Sequence, residues 1–308
     1  MKMHYTIILV TFFFLGMSQA FAQNGTATLT IDVEPAATVE AGEKIDGRNG
    51  DASWPTVSVE NGGINSVTVT LSDEVGFASG TYTQDFDGED KAEFDDLVIE
   101  TAGTYTMVFD VGVASATSQE FKVNSAAAAS FTFSVDDITA GENADIEINN
   151  AEDEFSNALD GIYSVTFSIA DNGYDVTDDL TFEAGTASHT TVGLTTSTGT
   201  YTLEVDIDGI TVTETFTISS AEADDFGVEV EDITAGKDVV IDITEAKDEF
   251  ENSLDGDYEA NIAIHDNSEK YNATETLTFT AGTVSHTVAD LTTAGTYTVT
   301  VEIDDTSN

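Results

Sequence analysis

Two acidic loops concentrate the oxygen atoms that a calcium ion prefers as ligands. The segment D-E-F-x-N-x-L-D-G spans residues 153–161 and recurs at residues 248–256. Its candidate ligands are Asp153, Glu154, Asn157, Asp160, Asp248, Glu249, Asn252 and Asp255. Ca²⁺ takes about six to eight oxygen ligands, so these side chains predict a calcium site. The spacing differs from that of an EF-hand loop, and Asn and Asp-Gly also form tight turns, so a metal-free loop is the alternative.

A second candidate site surrounds Trp54 and Arg48, the single tryptophan and the single arginine of the chain. Both lie in the segment D-G-R-N-G-D-A-S-W-P, which starts at residue 46. An exposed tryptophan beside Asn, Asp and Arg side chains can stack on a sugar ring, so this segment predicts carbohydrate binding. The alternative is that Trp54 folds back and covers the edge of the core.

The arrangement of serine, histidine and carboxylate residues argues against catalysis. Ser188 precedes His189 and Ser285 precedes His286, but neighbouring residues of a strand point to opposite faces of the sheet. Neither pair therefore forms a nucleophile and its base. Paired carboxylates carry little information, because 59 acidic residues place many pairs within range by chance. We predict that the chain is not an enzyme.

The elements that position these residues have the pattern of β-strands. In T-Y-T-L-E-V-D-I-D, residues 200–208, apolar and polar residues alternate, which is typical of a half-buried strand. The apolar face carries Tyr201, Leu203, Val205 and Ile207. Similar short runs recur along the chain between Gly, Asn and Asp residues, and none keeps a helical period. This pattern predicts an all-β fold built from sandwiches.

The chain contains a repeated module. Residues 137–190 align with residues 232–287 at a shift of 95 to 97 residues, and the first part of the chain is a more divergent copy. The predicted domains are residues 23–125, 126–220 and 221–308. An insertion at 46–63 interrupts the first domain.

The third copy differs from the other two at its closing segment. The first copy closes with S-Q-E-F-K-V and the second with I-T-V-T-E-T-F-T-I, but the third has no equivalent strand. We therefore expect the chain to be a truncated piece of a longer repeat protein. The alternative is that the exposed sheet edge accepts a strand from a partner.

The triplet G-T-Y, which also occurs at residues 80–82, recurs at one fixed position of the modules. It places Tyr105, Tyr201 and Tyr297 at intervals of 96 residues. In immunoglobulin-like sandwiches a tyrosine at this corner returns its hydroxyl group to the backbone upstream and stands two positions before a disulfide cysteine. This chain has no cysteine, and apolar residues take that position: Met107, Leu203 and Val299. We predict a structural tyrosine corner in each module.

The charge balance excludes some partners and suggests an environment. The chain has 59 acidic and 8 basic residues, a formal net charge of −51. Such a surface repels the phosphates of nucleic acid, so we expect no nucleic-acid partner. It also repels itself in low salt, whereas concentrated salt screens the repulsion. We therefore predict a halophilic source. The alternative is a secreted acidic protein that holds calcium.

The first residues have the pattern of a secretory signal. Lys2 is followed by an apolar run at residues 7–15, and A-F-A at residues 20–22 has the small-x-small form of a cleavage site. We predict a signal peptide at residues 1–22. The apolar run is too short for a comfortable membrane span and no second one follows, so we expect no membrane span in the mature chain.

The repeated motifs together resemble the immunoglobulin-like repeats of bacterial secreted and cell-surface adhesion proteins. The resemblance rests on the D-E-F-x-N-x-L-D-G loop, the Y-x-V-T-F strand after it and the A-G-T-Y corner. It implies tandem immunoglobulin-like β-sandwich domains and a non-catalytic stalk or adhesion module, secreted or at the cell surface.

The partners that the resemblance implies are other domains of a longer chain or extracellular surfaces, with no cofactor beyond the calcium ion considered above. Two alternatives stay open. The chain is an array of carbohydrate-binding modules, or its domains are accessory to a larger secreted enzyme.

Overall fold

A computed structural model describes residues 26–48, 53–60, 63–72, 76–171, 173–266 and 270–304. The predicted signal peptide lies outside these residues. The chain divides into two compact units. Among the described residues, one unit contains 26–39 together with 43–123, and the other contains 40–42 together with 124–304.

The first unit is made of short strands. They are β1 (Thr28–Val33), β2 (Thr38–Glu40), β3 (Thr56–Glu60), β4 (Ser66–Leu71), β5 (Thr83–Asp85), β6 (Lys91–Glu93), β7 (Gly103–Tyr105), β8 (Met107–Asp110), β9 (Ser115–Thr117) and β10 (Phe121–Asn124). They form sheets in the orders β1-β3-β6, β2-β10-β7 and β5-β4-β8-β9. Phe94 and Phe109 are fully buried between them, with ring centroids 5.4 Å apart.

The predicted insertion at 46–63 contributes a strand to this core. Its residues 56–60 are β3, which pairs antiparallel with both β1 and β6. Val57 and Val59 alternate with more exposed residues and are buried, as expected for one face of a strand. The segment is therefore partly a core strand, and not only a loop.

The second unit begins with a complete sandwich, which we call the second module. Its strands are β11 (Ala128–Val135), β12 (Ile138–Thr139), β13 (Asp145–Asp153), β14 (Gly161–Ile169), β15 (Tyr174–Phe182), β16 (Ala187–Thr190), β17 (Gly199–Ile207) and β18 (Ile210–Ser219). One sheet has the order β11-β13-β16 and the other β12-β18-β17-β14-β15.

Another sandwich, the third module, follows in the same unit and has its own hydrophobic core. Its strands are β19 (Ala223–Val230), β20 (Lys237–Asp248), β21 (Gly256–His265), β22 (Lys270–Phe279), β23 (Val284–Leu291) and β24 (Thr298–Asp304). They form sheets in the orders β19-β20-β23 and β22-β21-β24.

Strand β17 shows how the sequence pattern positions the core. It pairs antiparallel with β14 on one side and with β18 on the other. Leu203, Val205 and Ile207 are buried with at most 1% of their surface exposed, and the residues between them face water or are half-buried. Leu203 thus fills the place that a disulfide cysteine takes in related sandwiches. Every regular element in the described residues is a strand, which confirms the all-β prediction.

Candidate functional site

The D-E-F-x-N loop of the second module is organised around one buried carboxylate. Asp153 is 3% exposed. Its Oδ1 accepts hydrogen bonds from the backbone N–H groups of Phe155 and Asn157, both at 2.9 Å. Its Oδ2 accepts from Asn157 Nδ2 at 2.8 Å and from the backbone N–H of Ala126 at 2.9 Å. Ala126 belongs to the linker before the module, so the same carboxylate shapes the loop and holds the linker.

The third module repeats this arrangement. Asp248 Oδ1 accepts from the N–H groups of Phe250 and Asn252 at 3.0 and 2.8 Å. Its Oδ2 accepts from Asn252 Nδ2 at 2.8 Å and from Ala221 N–H at 2.9 Å. Burial by itself raises the pKa of the Asp248 carboxyl. The hydrogen bonds from Asn252, Ala221 and Phe250 outweigh burial and hold the pKa below its ordinary value.

A hydrogen bond between a serine and a tyrosine is the second contact that holds each linker. Ser125 Oγ and Tyr163 Oη share a hydrogen bond of 2.8 Å, and Ser220 Oγ and Tyr258 Oη share one of 2.6 Å. Ser220 and Tyr258 are themselves buried. A linker held on both sides by buried polar groups has few alternative conformations, because each freed group would lose its partner inside the protein.

The aromatic residue of the loop docks on a glycine of the preceding turn. Phe250 packs against the hydrophobic core of the second module. A Cβ atom at Gly141 would lie 2.5 Å from Phe250 Cζ, and Gly141 has a φ of +88°. Only glycine combines this backbone conformation with so close a neighbour. Phe155 lies in the same way against Gly42, where a Cβ would be 2.5 Å from its Cζ.

An asparagine adds polar contacts to this joint between the second and third modules. Asn252 Nδ2 donates to the carbonyl oxygen of Thr196 at 2.7 Å, and its Oδ1 accepts from the N–H of Thr198 at 3.3 Å. One side chain therefore joins the Asp248 carboxylate to a loop of the second module. We call Gly141, Thr196, Asp248, Phe250 and Asn252 the joint.

The predicted calcium ligands are thus divided between two environments. Both oxygens of Asp153 and of Asp248 accept N–H donors, whereas Glu154, Asp160, Glu249 and Asp255 are exposed. Within the described ranges no group of three or more His, Cys, Asp or Glu side chains is placed to hold a metal ion. Calcium binding by these loops stays a prediction.

Arg48 and Trp54 lie close to the core of the first unit. The Arg48 guanidinium donates to the carbonyl oxygen of Pro35 at 3.2 Å, to Gln119 Oε1 at 2.6 Å and to the carbonyl oxygen of Glu120 at 3.1 Å. Its hydrogen-bonding edges are therefore engaged by its own unit. Trp54 is half-buried, and Lys44 Nζ lies 5.5 Å from the centroid of its ring. Carbohydrate binding at these residues stays a prediction.

The two strand histidines are packed into the sandwiches. His189 stacks on Phe167 with ring centroids 4.2 Å apart, and its Nδ1 lies 3.4 Å from Asp178 Oδ2. The Nε2 atoms of His189 and His286 are buried and have no hydrogen-bond partner among the residues that the structure describes. The hydroxyl group of Ser285, the residue before His286, donates a hydrogen bond to Asp242 Oδ1 on the neighbouring strand and not to the histidine.

The three G-T-Y tyrosines that recur at 96-residue intervals return to the backbone at the same distance along the chain. The hydroxyl groups of Tyr105, Tyr201 and Tyr297 donate to the carbonyl oxygens of Thr101, Ser197 and Thr293, at 2.9, 3.0 and 2.9 Å. Each acceptor stands four residues upstream of its tyrosine. The hydrogen bond closes the loop that leads into the strand.

Sequence reasoning singled out Asp248 and Asn252 but missed Phe250 of the joint and the Ser220–Tyr258 pair that holds the linker. Phe250, Ser220 and Tyr258 were visible as repeats of Phe155, Ser125 and Tyr163, each at a shift of 95 residues. The constant shift of 95 residues was the signal in the sequence. Residues that keep a fixed spacing across a linker are candidates for contacting that linker.

The described residues define a protein of tandem β-sandwiches, and in its second unit a buried polar linker joins two of them. No protein-family model matches the sequence, and no curated protein matches it either. Solved structures do match. The Escherichia coli adhesin FdeC is 17% identical, with a TM-score of 0.60 over 92% of this chain and 93% of FdeC.

Two further similar structures have lower scores. Yersinia pseudotuberculosis InvD is 16% identical over 92% of this chain and 85% of its own, with a TM-score of 0.45. Invasin, a bacterial integrin-binding protein, is 16% identical over 92% of this chain and 57% of its own, with a TM-score of 0.41. The predicted fold class, tandem immunoglobulin-like β-sandwiches, is confirmed, as is the resemblance to the repeats of adhesion-type proteins at the level of fold. Among the described residues, no helix has the length and hydropathy to cross a membrane.

Proposed function

We propose that the chain is a non-catalytic, secreted or cell-surface repeat protein that acts as a structural stalk or adhesion module in a salt-rich environment. The observation that carries the proposal is the joint between the second and third modules. A spacer that presents a binding surface away from a cell must resist bending between its modules. The joint supplies this resistance through Phe250 on Gly141, Asn252 on Thr196 and the buried Asp248 carboxylate.

Two further observations support the absence of catalysis and the location in this proposal. The Ser–His neighbours do not face each other, because Ser285 bonds Asp242 while His286 Nε2 is buried. The likeness to the adhesin FdeC supports an extracellular or cell-surface location. The partners that fit this proposal are extracellular surfaces or other domains of a longer chain.

The stiffness of the joint can be measured directly, because the chain has no cysteine of its own. Asp175→Cys on β15 and Thr276→Cys on β22 place spin labels on exposed positions of the two modules. We expect electron–electron distance measurements to give one narrow distribution. Phe250→Ala should broaden it, whereas Val192→Ala, at an exposed position outside the joint, should leave it unchanged.

A broad distance distribution in the chain with an intact joint would contradict the proposal of a structural stalk. It would show that the buried contacts do not fix the angle between the modules. If the distance distribution were narrow and Phe250→Ala did not change it, the stiffness would come from other contacts and not from the joint.

The carbohydrate alternative has its own test at Trp54. Glycan-array binding that is present in the intact chain and lost in Trp54→Ala would favour a carbohydrate-binding array over a stalk. Trp54→Phe is the matched control, because it keeps an aromatic face for a sugar ring.

A further inference from the structure

The first unit contains a longer loop than the equivalent loops of the second and third modules. Strands β4 and β14 are equivalent, because V-T-V-T-L in β4 aligns with V-T-F-S-I in β14. Residues 72–82 connect β4 to β5, whereas residues 170–173 connect β14 to β15 and residues 266–269 connect β21 to β22. Of the longer loop, the structure describes residue 72 and residues 76–82. The other modules make this connection without the extra residues, so the longer loop is a candidate for a binding function.

This loop holds the G-T-Y triplet at residues 80–82, whose tyrosine is not a corner tyrosine. Tyr82 is 40% exposed, whereas the corner residue Tyr105 is 2% exposed. The hydroxyl group of Tyr82 donates to the carbonyl oxygen of Phe77 at 3.1 Å, five residues upstream and not four. The two rings stack, with centroids 5.5 Å apart and an angle of 20° between their planes. The loop therefore presents an ordered pair of aromatic rings at the surface.

Hydrogen bonds to a neighbouring segment hold the loop in place. Ala78 N–H donates to the carbonyl oxygen of Val98 at 2.8 Å, and Val98 N–H donates to that of Ser79 at 3.0 Å. The N–H and the hydroxyl group of Thr81 donate to Asp96 Oδ1 and Oδ2, at 2.8 and 2.7 Å. A loop that is fixed before a ligand arrives loses little conformational entropy on binding.

A groove of about 400 Å³ lies beside the two rings. Its lining combines Phe77 and Tyr82 of the loop with Thr68 and Thr70 of β4, and both threonines are exposed. None of the described residues that line the groove is charged, although the chain contains 59 acidic residues. An uncharged lining on so acidic a protein favours an uncharged ligand.

A pyranose ring matches this combination of groups. The C–H groups on one face of the sugar stack on an aromatic ring, and its hydroxyl groups exchange hydrogen bonds with threonine hydroxyls. A neutral sugar also avoids the repulsion that a sulfated or uronic sugar meets on a chain of net charge −51. Trp54 offers less surface for stacking, because it is half-buried and Lys44 Nζ lies 5.5 Å from the centroid of its ring.

We propose that the groove beside Phe77 and Tyr82 binds the pyranose ring of a neutral glycan. The Tyr82 ring is the stacking surface, and Thr68 and Thr70 bond the hydroxyl groups of the sugar. The inference rests on the adhesion role in the proposed function and gives that role a class of ligand. The second and third modules, whose equivalent loops are short, then act as spacers behind the sugar site.

A glycan array that carries neutral and acidic glycans is the probe for the full chain. The measurement is made in about 2 M NaCl, which screens the self-repulsion of the protein. We expect binding to neutral glycans, and calorimetric titration with the neutral oligosaccharide that gives the strongest signal then measures Kd. Amide hydrogen exchange in residues 76–82 should slow when that oligosaccharide is added to the native chain.

Matched variants of the full chain locate the sugar. Tyr82→Ala should weaken binding by about tenfold or more, because it removes the stacking surface, whereas Tyr82→Phe keeps an aromatic face and should retain most of the affinity. Val113→Ala is the control, since Val113 is an exposed apolar residue of the same unit that does not line the groove. Trp54→Ala should also leave binding unchanged, which separates this site from the one predicted at Trp54.

Several outcomes would overturn the proposal. They are binding confined to acidic glycans, equal affinities of Tyr82→Ala and Val113→Ala, and a loss of binding in Trp54→Ala but not in Tyr82→Ala. Binding of a decaproline peptide that Tyr82→Ala abolishes, with no glycan bound, would assign the groove to a polyproline segment instead. The absence of glycan binding together with a narrow spin-label distance distribution would remove the sugar site and keep the structural stalk.

Discussion

Phe250 Cζ lies so close to the backbone of Gly141 that a Cβ atom there would be only 2.5 Å away. Gly236 is the equivalent glycine of the third module and has nearly the same conformation, with a φ of +82° against +88°. No atom of the described residues lies within 4 Å of a Cβ built on Gly236. The two glycines therefore differ in their neighbour and hardly at all in their backbone.

Gly141→Ala should destabilise the second unit more than Gly236→Ala. Both alanines adopt a left-handed conformation, which costs about 1–2 kcal/mol. Only Gly141→Ala also forces the Phe250 ring away, at an additional cost of about 1–3 kcal/mol. Urea unfolding of the two variants measures the difference. Equal losses of stability would show that Phe250 moves aside freely and that the joint is loose.

Asp248→Asn should destabilise the third module at neutral pH, by about 2–4 kcal/mol, because an amide cannot accept the same four N–H donors. The folded-state pKa of Asp248 lies below its ordinary value of 3.8. Its contribution is therefore present above about pH 4 and is lost as the pH falls through the folded-state pKa. The difference in unfolding free energy between the native chain and Asp248→Asn should shrink below about pH 4.

Glu249→Gln is the control for that measurement. Glu249 is an exposed acid next to Asp248, so its replacement should change stability by less than about 0.5 kcal/mol. An Asp248→Asn variant as stable as the native chain at pH 7 would contradict the role given to the carboxylate.

Salt should stabilise the protein strongly. A net charge of −51 generates self-repulsion that a Debye length of about 3 Å, reached in about 1 M salt, suppresses. We expect Tm to rise by more than about 10 °C between about 0.1 M and about 2 M NaCl, or roughly 2 kcal/mol for modules of this size. KCl should act equally, since screening depends on ionic strength. A Tm that does not change with salt concentration would contradict the prediction of a halophilic source.

Arg48→Ala should destabilise the first unit by about 1–3 kcal/mol, because three oxygen acceptors lose a charged donor. Arg48→Lys should recover little of this loss, since an ammonium group cannot reproduce the guanidinium geometry. Thermal unfolding of the two variants is the measurement. If both unfolded like the native chain, Arg48 would be available for a ligand, as its sequence context indicates.

Calcium binding predicts a saturable heat on titration and a rise in Tm beyond that caused by Mg²⁺ at equal ionic strength. Glu249→Gln and Asp255→Asn should each reduce both effects, because these exposed carboxylates are accessible to a cation. The absence of heat in the native chain would contradict a calcium site in these loops.

The strands and their faces could be predicted from the sequence because they depend on local alternation. The spacing of Leu203, Val205 and Ile207 assigns them to one face, and all three are buried. The G-T-Y triplets that recur at 96-residue intervals likewise identify Tyr105, Tyr201 and Tyr297, whose hydroxyl groups bond carbonyl oxygens four residues upstream.

The environment of the acidic loops could not be predicted in this way. The sequence shows that Asp153 and Asp248 carry oxygens, but not that backbone N–H groups of the loop and the linker occupy them. Nor does it show that Phe250 meets Gly141, because the two belong to different modules and no local pattern connects them. Contacts between modules depend on the angle at which the modules meet.

The cores that hold Met107 and Leu203 in place of a disulfide have a mechanical consequence. When a module unfolds under tension, no disulfide cross-link limits the length of chain that it releases. A repeat of about 95 residues yields roughly 300 Å of extended chain. In the proposed stalk, a module that unfolds under load would lengthen the chain by this amount and so limit the force that reaches the attachment point.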